Sequence, residues 1–128
     1  MSKIERFEDL EVWQKAIDLA VRIYTIIKSG PYKLESPIQN QLIGSSFSIS
    51  NNIAEGFEHN STKQFIRYLK ISKASAGELR NQLYFLKKIQ YIDQETFQVL
   101  LNDCMEVSKK ISSFITYLRT YEKSKTKK

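Results

Sequence analysis

The chain has 128 residues, 41% apolar and 27% charged, with four glycines, two prolines and one cysteine. That length predicts one domain with no room for a second core, and the composition excludes collagen, low-complexity disorder and a disulfide scaffold. The net charge of +6 is uneven: residues 1–62 hold six basic and eight acidic residues, residues 63–128 fourteen basic and six acidic. A lone cysteine fits a reducing compartment. The start MSKIERFEDLEVW carries no apolar signal core. No apolar run approaches the roughly 20 residues that span a bilayer. A cytoplasmic protein without membrane contact is expected.

Four helical segments follow in chain order. The first spans about 9–29, with Leu10, Trp13, Ala16, Ile17, Ala20, Tyr24 and Ile27 on one face at steps of three and four. Gly30-Pro31 ends it. The second spans about 37–55. Ser36 is its expected N-cap and Pro37 its first residue. Ile38, Leu42, Ser45, Ser46, Ile49 and Ile53 form its inner face, and small side chains there permit close helix approach. The third spans about 62–89 and opens on the capping-box pattern Ser61-Thr62-Lys63-Gln64. Phe65, Tyr68, Leu69, Ser72, Ala76, Leu79, Leu83 and Leu86 share a sector of roughly 100°. The fourth spans about 94–121 from an Asp93 N-cap, with Phe97, Leu100, Leu101, Cys104, Val107, Ile111, Ile115 and Leu118 inward. No strand alternation or internal repeat interrupts the pattern. The expected fold is all-α, an antiparallel up-and-down four-helix bundle over residues 1–122, followed by a basic flexible tail over 123–128.

Two helices carry more apolar surface than a bundle stripe needs. In the first, Val12, Leu19, Ile23 and Ile26 stand about 220–280° from Trp13. In the third, Ile71 and Phe85 flank Glu78 at heptad spacing, outside the main sector. Bare rows of this kind predict self-association, as a dimer or closed ring.

No catalytic constellation emerges. His59 is the only histidine, and Gly56 stands three residues before it, so the Glu-x-x-His pairs of a di-iron bundle are absent. Cys104 lies on an apolar stripe without a histidine base and reads as a structural thiol. Phosphate-loop motifs are absent. Ser45, Ser46, Ser48 and Ser50 read as helix-contact or backbone-bonding residues. Asn60-Ser61-Thr62 matches a glycosylation sequon but reads as loop and cap. No metal, cofactor or small-molecule substrate is expected.

Basic surfaces remain. Lys63, Arg67 and Lys70 project within roughly 60° of one another, away from the core sector. With Lys73 and the tail residues Lys123, Lys125, Lys127 and Lys128 they are candidate phosphate contacts to RNA or DNA. A solvated helix face and a helix end kept soluble by lysine are the alternative reading of the same residues.

Three stretches are familiar: FEDLEVWQKA over residues 7–16, SISNNIAEGF over 48–57 and FIRYLKISKASAGELRNQL over 65–83. They resemble the four-helix-bundle family encoded in intervening sequences of bacterial 23S ribosomal RNA genes. The second is similar to that family's S-I-x-x-N-I-A-E-G motif, and the third to its F-x-R-F-L-x-I-A-x-G-S-x-x-E-L-x-x-Q-L run. Ala74 stands where the family often has Gly, Ser72 where it often has Ala, and Tyr68 replaces Phe. The resemblance implies a homopentameric ring. It also implies kinship with the accessory protein of diversity-generating retroelements, a basic pentameric barrel thought to bind nucleic acid. It brings no enzymatic activity.

The motif has its own physical reading. Gly56 suits the left-handed residue that ends a helix. Glu78, between Ile71 and Phe85, requires a partner such as Asn51, Asn52 or a cation. Asn52, Glu55, Gly56, Ser75 and Glu78 then form a structural polar network. Two functions follow as expectations. One is a non-enzymatic homo-oligomer that binds nucleic acid through basic surfaces. The other is a protein-interaction scaffold without nucleic-acid affinity.

Overall fold

The computed structural model describes residues 4–126. A short 3-10 turn, Phe7–Asp9, leads into α1 (Glu11–Ser29), α2 (Ser36–Glu58), α3 (Thr62–Lys88) and α4 (Gln94–Thr126), with no strand among the described residues. Together they form an all-α four-helix bundle.

Helix α2 begins at Ser36 itself, after Glu35 and with no side-chain cap, which corrects the expected Ser36 N-cap, whereas the starts of α3 and α4 are capped as expected. The backbone N–H of Gln64 donates to the Ser61 hydroxyl at 3.3 Å, and that of Thr96 donates to the Asp93 carboxylate at 2.7 Å. The left-handed residues are Asn60 and Gln90, at the ends of α2 and α3.

Neighbouring helices pair rising residue numbers on one with falling numbers on the other. Between α1 and α4 the ion pairs are Glu11 with Lys110, Lys15 with Glu106, and Arg22 with Asp103. Between α2 and α3, Ser48 meets Ser75, and Phe57 meets Phe65. Between α3 and α4, the Cys104 thiol donates to the Ala76 carbonyl, and Phe65 meets Phe114.

The core takes the inner faces expected of α2, α3 and α4 almost residue for residue. Its polar members are serines of α2 and α3. The Ser72 hydroxyl donates to the Ile49 carbonyl at 2.7 Å, so buried polar atoms there are satisfied.

Helix α1 departs from expectation. Its buried residues are Val12, Ala16, Leu19, Ile23 and Ile27. The core row thus takes Val12, Leu19 and Ile23 from the row expected outside and Ala16 and Ile27 from the face expected inside. Trp13, Ile17 and Ala20 are half-buried, and Tyr24 is 52% exposed. Both rows are apolar, and packing between α2 and α4 chooses the one nearer the bundle axis. Trp13 instead stacks edge-on against Phe7 and holds the N-terminal turn.

Three further expectations are corrected. Gly56 ends nothing: it is buried inside α2, and among the described residues no glycine has a positive φ. A Cβ there would stand 2.6 Å from the Cβ of Tyr68, so glycine serves close approach of α3. Lys123 and Lys125 belong to α4, because nothing in the sequence after Tyr121 breaks a helix and lysines suit its last turn. Lys127 and Lys128 lie outside the described residues. Glu78 is exposed and, among the described residues, makes no hydrogen bond or ion pair.

Candidate nucleic-acid interface

Helix α3 carries seven basic residues against Glu78 alone. Its surplus of six equals the net charge of the whole chain. The helix wheel spreads this outer surface from Lys73 and Arg80 on one side to Glu78 and Ile71 on the other, with Lys63, Arg67 and Lys70 between them. Lys63, Arg67 and Lys70 line a groove of about 630 Å³ with Gln64, Ile66 and Glu122 of α4. Arg80 lies near enough to Cys104 of α4 for its charge to be felt there. The strip bordering α4 is thus cationic.

The other strip borders α2. Glu78 lines a groove of about 480 Å³ with Asn40, Gln41, Gly44 and Ser48 of α2. Ile71 and Phe85, one heptad either side of Glu78, are 43% and 46% exposed, and Phe47 of α2 is 54% exposed. This strip is apolar with one carboxylate.

Charge is used differently on the two sides of the molecule. Arg6 pairs with Glu8 and Asp9, and Lys15, Arg22 and Lys110 each pair with a carboxylate across the α1/α4 seam. The Lys110 ammonium holds the Glu11 carboxyl below its usual range. Lys63, Arg67, Lys70 and Lys73 are exposed, and among the described residues none makes an ion pair. Lys125 lies over the Tyr121 ring, 5.9 Å from its centroid, beyond this row along α4.

The residues of the N-I-A-E-G stretch divide into two clusters. Asn52 donates to the Ser48 carbonyl at 2.8 Å and to the Ser48 hydroxyl at 2.9 Å, and Ser48 shares a 2.8 Å hydrogen bond with Ser75. The Glu55 carboxylate stands near the Tyr68 hydroxyl and, as an anion, holds it above the usual tyrosine range. Tyr68 presses on Gly56 and stacks on His59, with ring centroids 4.9 Å apart. Glu78 joins neither cluster. Sequence reasoning missed Ser48 as the hub, although its spacing of four from Asn52 on one helix face was a usable signal.

The remaining nucleophile is muted. Burial pushes the Cys104 thiol up to about 11, so it carries negligible thiolate near neutrality. Among the described residues no group of three His, Cys, Asp or Glu side chains is placed to hold a metal ion, and no helix is long and apolar enough to cross a membrane.

No curated protein matches the chain. A solved structure from Bacteroides thetaiotaomicron, a protein of unknown function from the S23 ribosomal protein family, is 30% identical with a TM-score of 0.76. The similarity covers 82% of this chain and 95% of that one. The family described as 23S rRNA-intervening sequence protein matches residues 8–113, from the turn before α1 well into α4. Over that span the chain belongs to the 23S rRNA-intervening sequence protein family.

Proposed function

We propose that the protein is a non-enzymatic, self-associating bundle that binds RNA or DNA by phosphate contacts. The observation that carries this reading is the unpaired cationic row of α3, Lys63, Arg67, Lys70 and Lys73, on a molecule whose α1 cations are largely matched with carboxylates. Each cation placed on a phosphate releases a counterion, so affinity falls steeply with salt. Lys123 and Lys125 lie in the last turn of α4, Lys125 in a groove with Asn60, Ser61 and Thr62 at the start of α3, and Lys127 and Lys128 follow them in the sequence. Phosphate contacts carry little sequence information, so weak base preference goes with this reading.

The apolar strip of Phe47, Ile71 and Phe85 supports self-association, because exposed patches of this kind mark interfaces. The family resemblance makes a homopentameric ring the form proposed. Glu78 lines a groove with α2 whereas Lys63, Arg67 and Lys70 line one with α4, so a second copy can cover the first while nucleic acid meets the second. A ring multiplies the cationic row and raises avidity without any new kind of interaction. A cytoplasmic setting accords with a single buried thiol.

Fluorescence anisotropy with labelled RNA and DNA across a salt series tests the reading. The expected result is tight binding at low salt that weakens steeply as salt rises. Substituting Lys63, Arg67 and Lys70 by Gln should flatten the slope by about 0.7–0.9 for each phosphate that is no longer neutralised. Replacing Lys123, Lys125, Lys127 and Lys128 by Gln separates the contribution of the chain end. No binding by the intact protein at low salt would overturn the proposal and leave a protein-interaction scaffold.

A further inference from the structure

The groove between α3 and the end of α4 holds one carboxylate among cations. Lys63, Arg67 and Lys70 form one wall, Ile66 and Gln64 lie between them, and Glu122 faces them from α4. Glu122 is half-buried, and no ion pair with these cations forms among the described residues. The exposed carbon in the groove is Ile66 together with the methylene stems of the basic side chains.

We infer that this groove seats an extended single strand of nucleic acid, phosphates on Lys63, Arg67 and Lys70, and that Glu122 limits how tightly the strand is held. The inference rests on the nucleic-acid reading above and adds the strand form, the seat and a tuning residue. Seven residues at 1.5 Å rise place Lys63 and Lys70 about 10 Å apart along the helix. That length exceeds the roughly 3.4 Å rise per nucleotide of a stacked duplex strand, so the row reaches more than one phosphate of a more extended strand. A groove with a carbon floor between its charges accepts sugar and base edges beside the phosphates. A duplex presents its phosphates on a convex surface and leaves such a floor empty. Aliphatic contact does not distinguish bases, so the seat tolerates any sequence.

Glu122 opposes this binding. A carboxylate facing the same cations repels each phosphate they attract. Its removal strengthens binding locally, whereas removal of a distant acid only changes the net charge. Glu95 is the suitable comparison. It lies exposed in the first turn of α4, 27 residues before Glu122, so about 40 Å away along the helix and several Debye lengths at ordinary salt.

The test uses the full-length protein, labelled oligo(dT) and oligo(rU), and a labelled duplex, by anisotropy across a salt series. Circular dichroism verifies that each variant keeps its helix content. Glu122→Gln should tighten single-strand binding roughly three- to fivefold at low salt, with the gain fading at high salt. Glu95→Gln should leave it unchanged. The Glu122→Gln gain should vanish in a protein already carrying Lys63→Gln, Arg67→Gln and Lys70→Gln, as coupled neighbours require. Equal effects of Glu122→Gln and Glu95→Gln would overturn the tuning role while nucleic-acid binding stands. Tighter binding of duplex than of single strand would overturn the assignment of the seat. If the unsubstituted protein binds none of the probes, both this inference and the nucleic-acid reading fall together.

Discussion

The Tyr91 hydroxyl donates to the carbonyl oxygen of Ile27 at 3.0 Å and also reaches that of Ile26 at 3.2 Å. A residue in the α3–α4 connection thereby satisfies two of the four carbonyls that the end of α1 leaves without helical partners. Tyr91 is 3% exposed, and Tyr32 packs edge-on against its ring. Gly30 belongs to the same arrangement, since a Cβ there would stand 1.9 Å from the Tyr91 hydroxyl. One buried phenol therefore locks the end of α1 to a loop more than sixty residues away.

Tyr91→Phe keeps the ring and removes only the donor. The loss leaves buried carbonyls unsatisfied, and stability should fall by about 1–2 kcal/mol. Urea unfolding followed by circular dichroism measures it, with an unchanged slope expected. Stability equal to that of the unsubstituted protein would show that water replaces the hydroxyl.

Gly56 and Gly77 predict opposite effects of the same change. A Cβ at Gly56 collides with Tyr68 and approaches the Phe65 ring at 3.1 Å, whereas one at Gly77 meets nothing within 4 Å. Alanine gains about 1 kcal/mol over glycine in a helix interior. Gly77→Ala should therefore stabilise by about that amount. Gly56→Ala should be net destabilising, because forced repacking costs typically 1–3 kcal/mol. Thermal unfolding of the two variants side by side decides it, and equal melting temperatures would remove the close-approach argument for Gly56.

Asp93 supplies a pH dependence with a definite sign. The backbone N–H of Thr96 holds its carboxyl below the usual aspartate range. Its folded pKa is lower than its unfolded one, so its contribution is fully present above the unfolded pKa and is lost as pH falls through the folded value. Asp93→Ala should lower the melting temperature at neutral pH, and the gap between the two proteins should close in strong acid. A gap that persists after the carboxyl is protonated would assign the effect to something other than the cap.

The apolar strip bordering α2 predicts an assembly that one charge can break. Phe85→Asp places a carboxylate two turns from Glu78 on an exposed face and leaves the core intact. Light scattering after size exclusion should report a smaller particle than the unsubstituted protein, with helix content unchanged. The same mass for both proteins would place any self-association on another face.

The sequence determined three of the four inner faces. In α2, α3 and α4 a single apolar stripe stands against a polar remainder, so helical period alone identifies what is buried. It also determined the cationic character of α3, because Lys63, Arg67 and Lys70 recur at helical spacing opposite that stripe. In α1 two adjacent rows are apolar, and periodicity does not rank them. Only the positions of α2 and α4 made Leu19 and Ile23 core and left Tyr24 outside. Tertiary structure alone decided that Gly56 lies beneath Tyr68, that Tyr91 reaches the end of α1, and that Glu122 faces the cations of α3. Each of these joins residues distant in the chain. Local spacing governs how one helix presents its sides, while the approach of a second helix depends on the summed packing of all four.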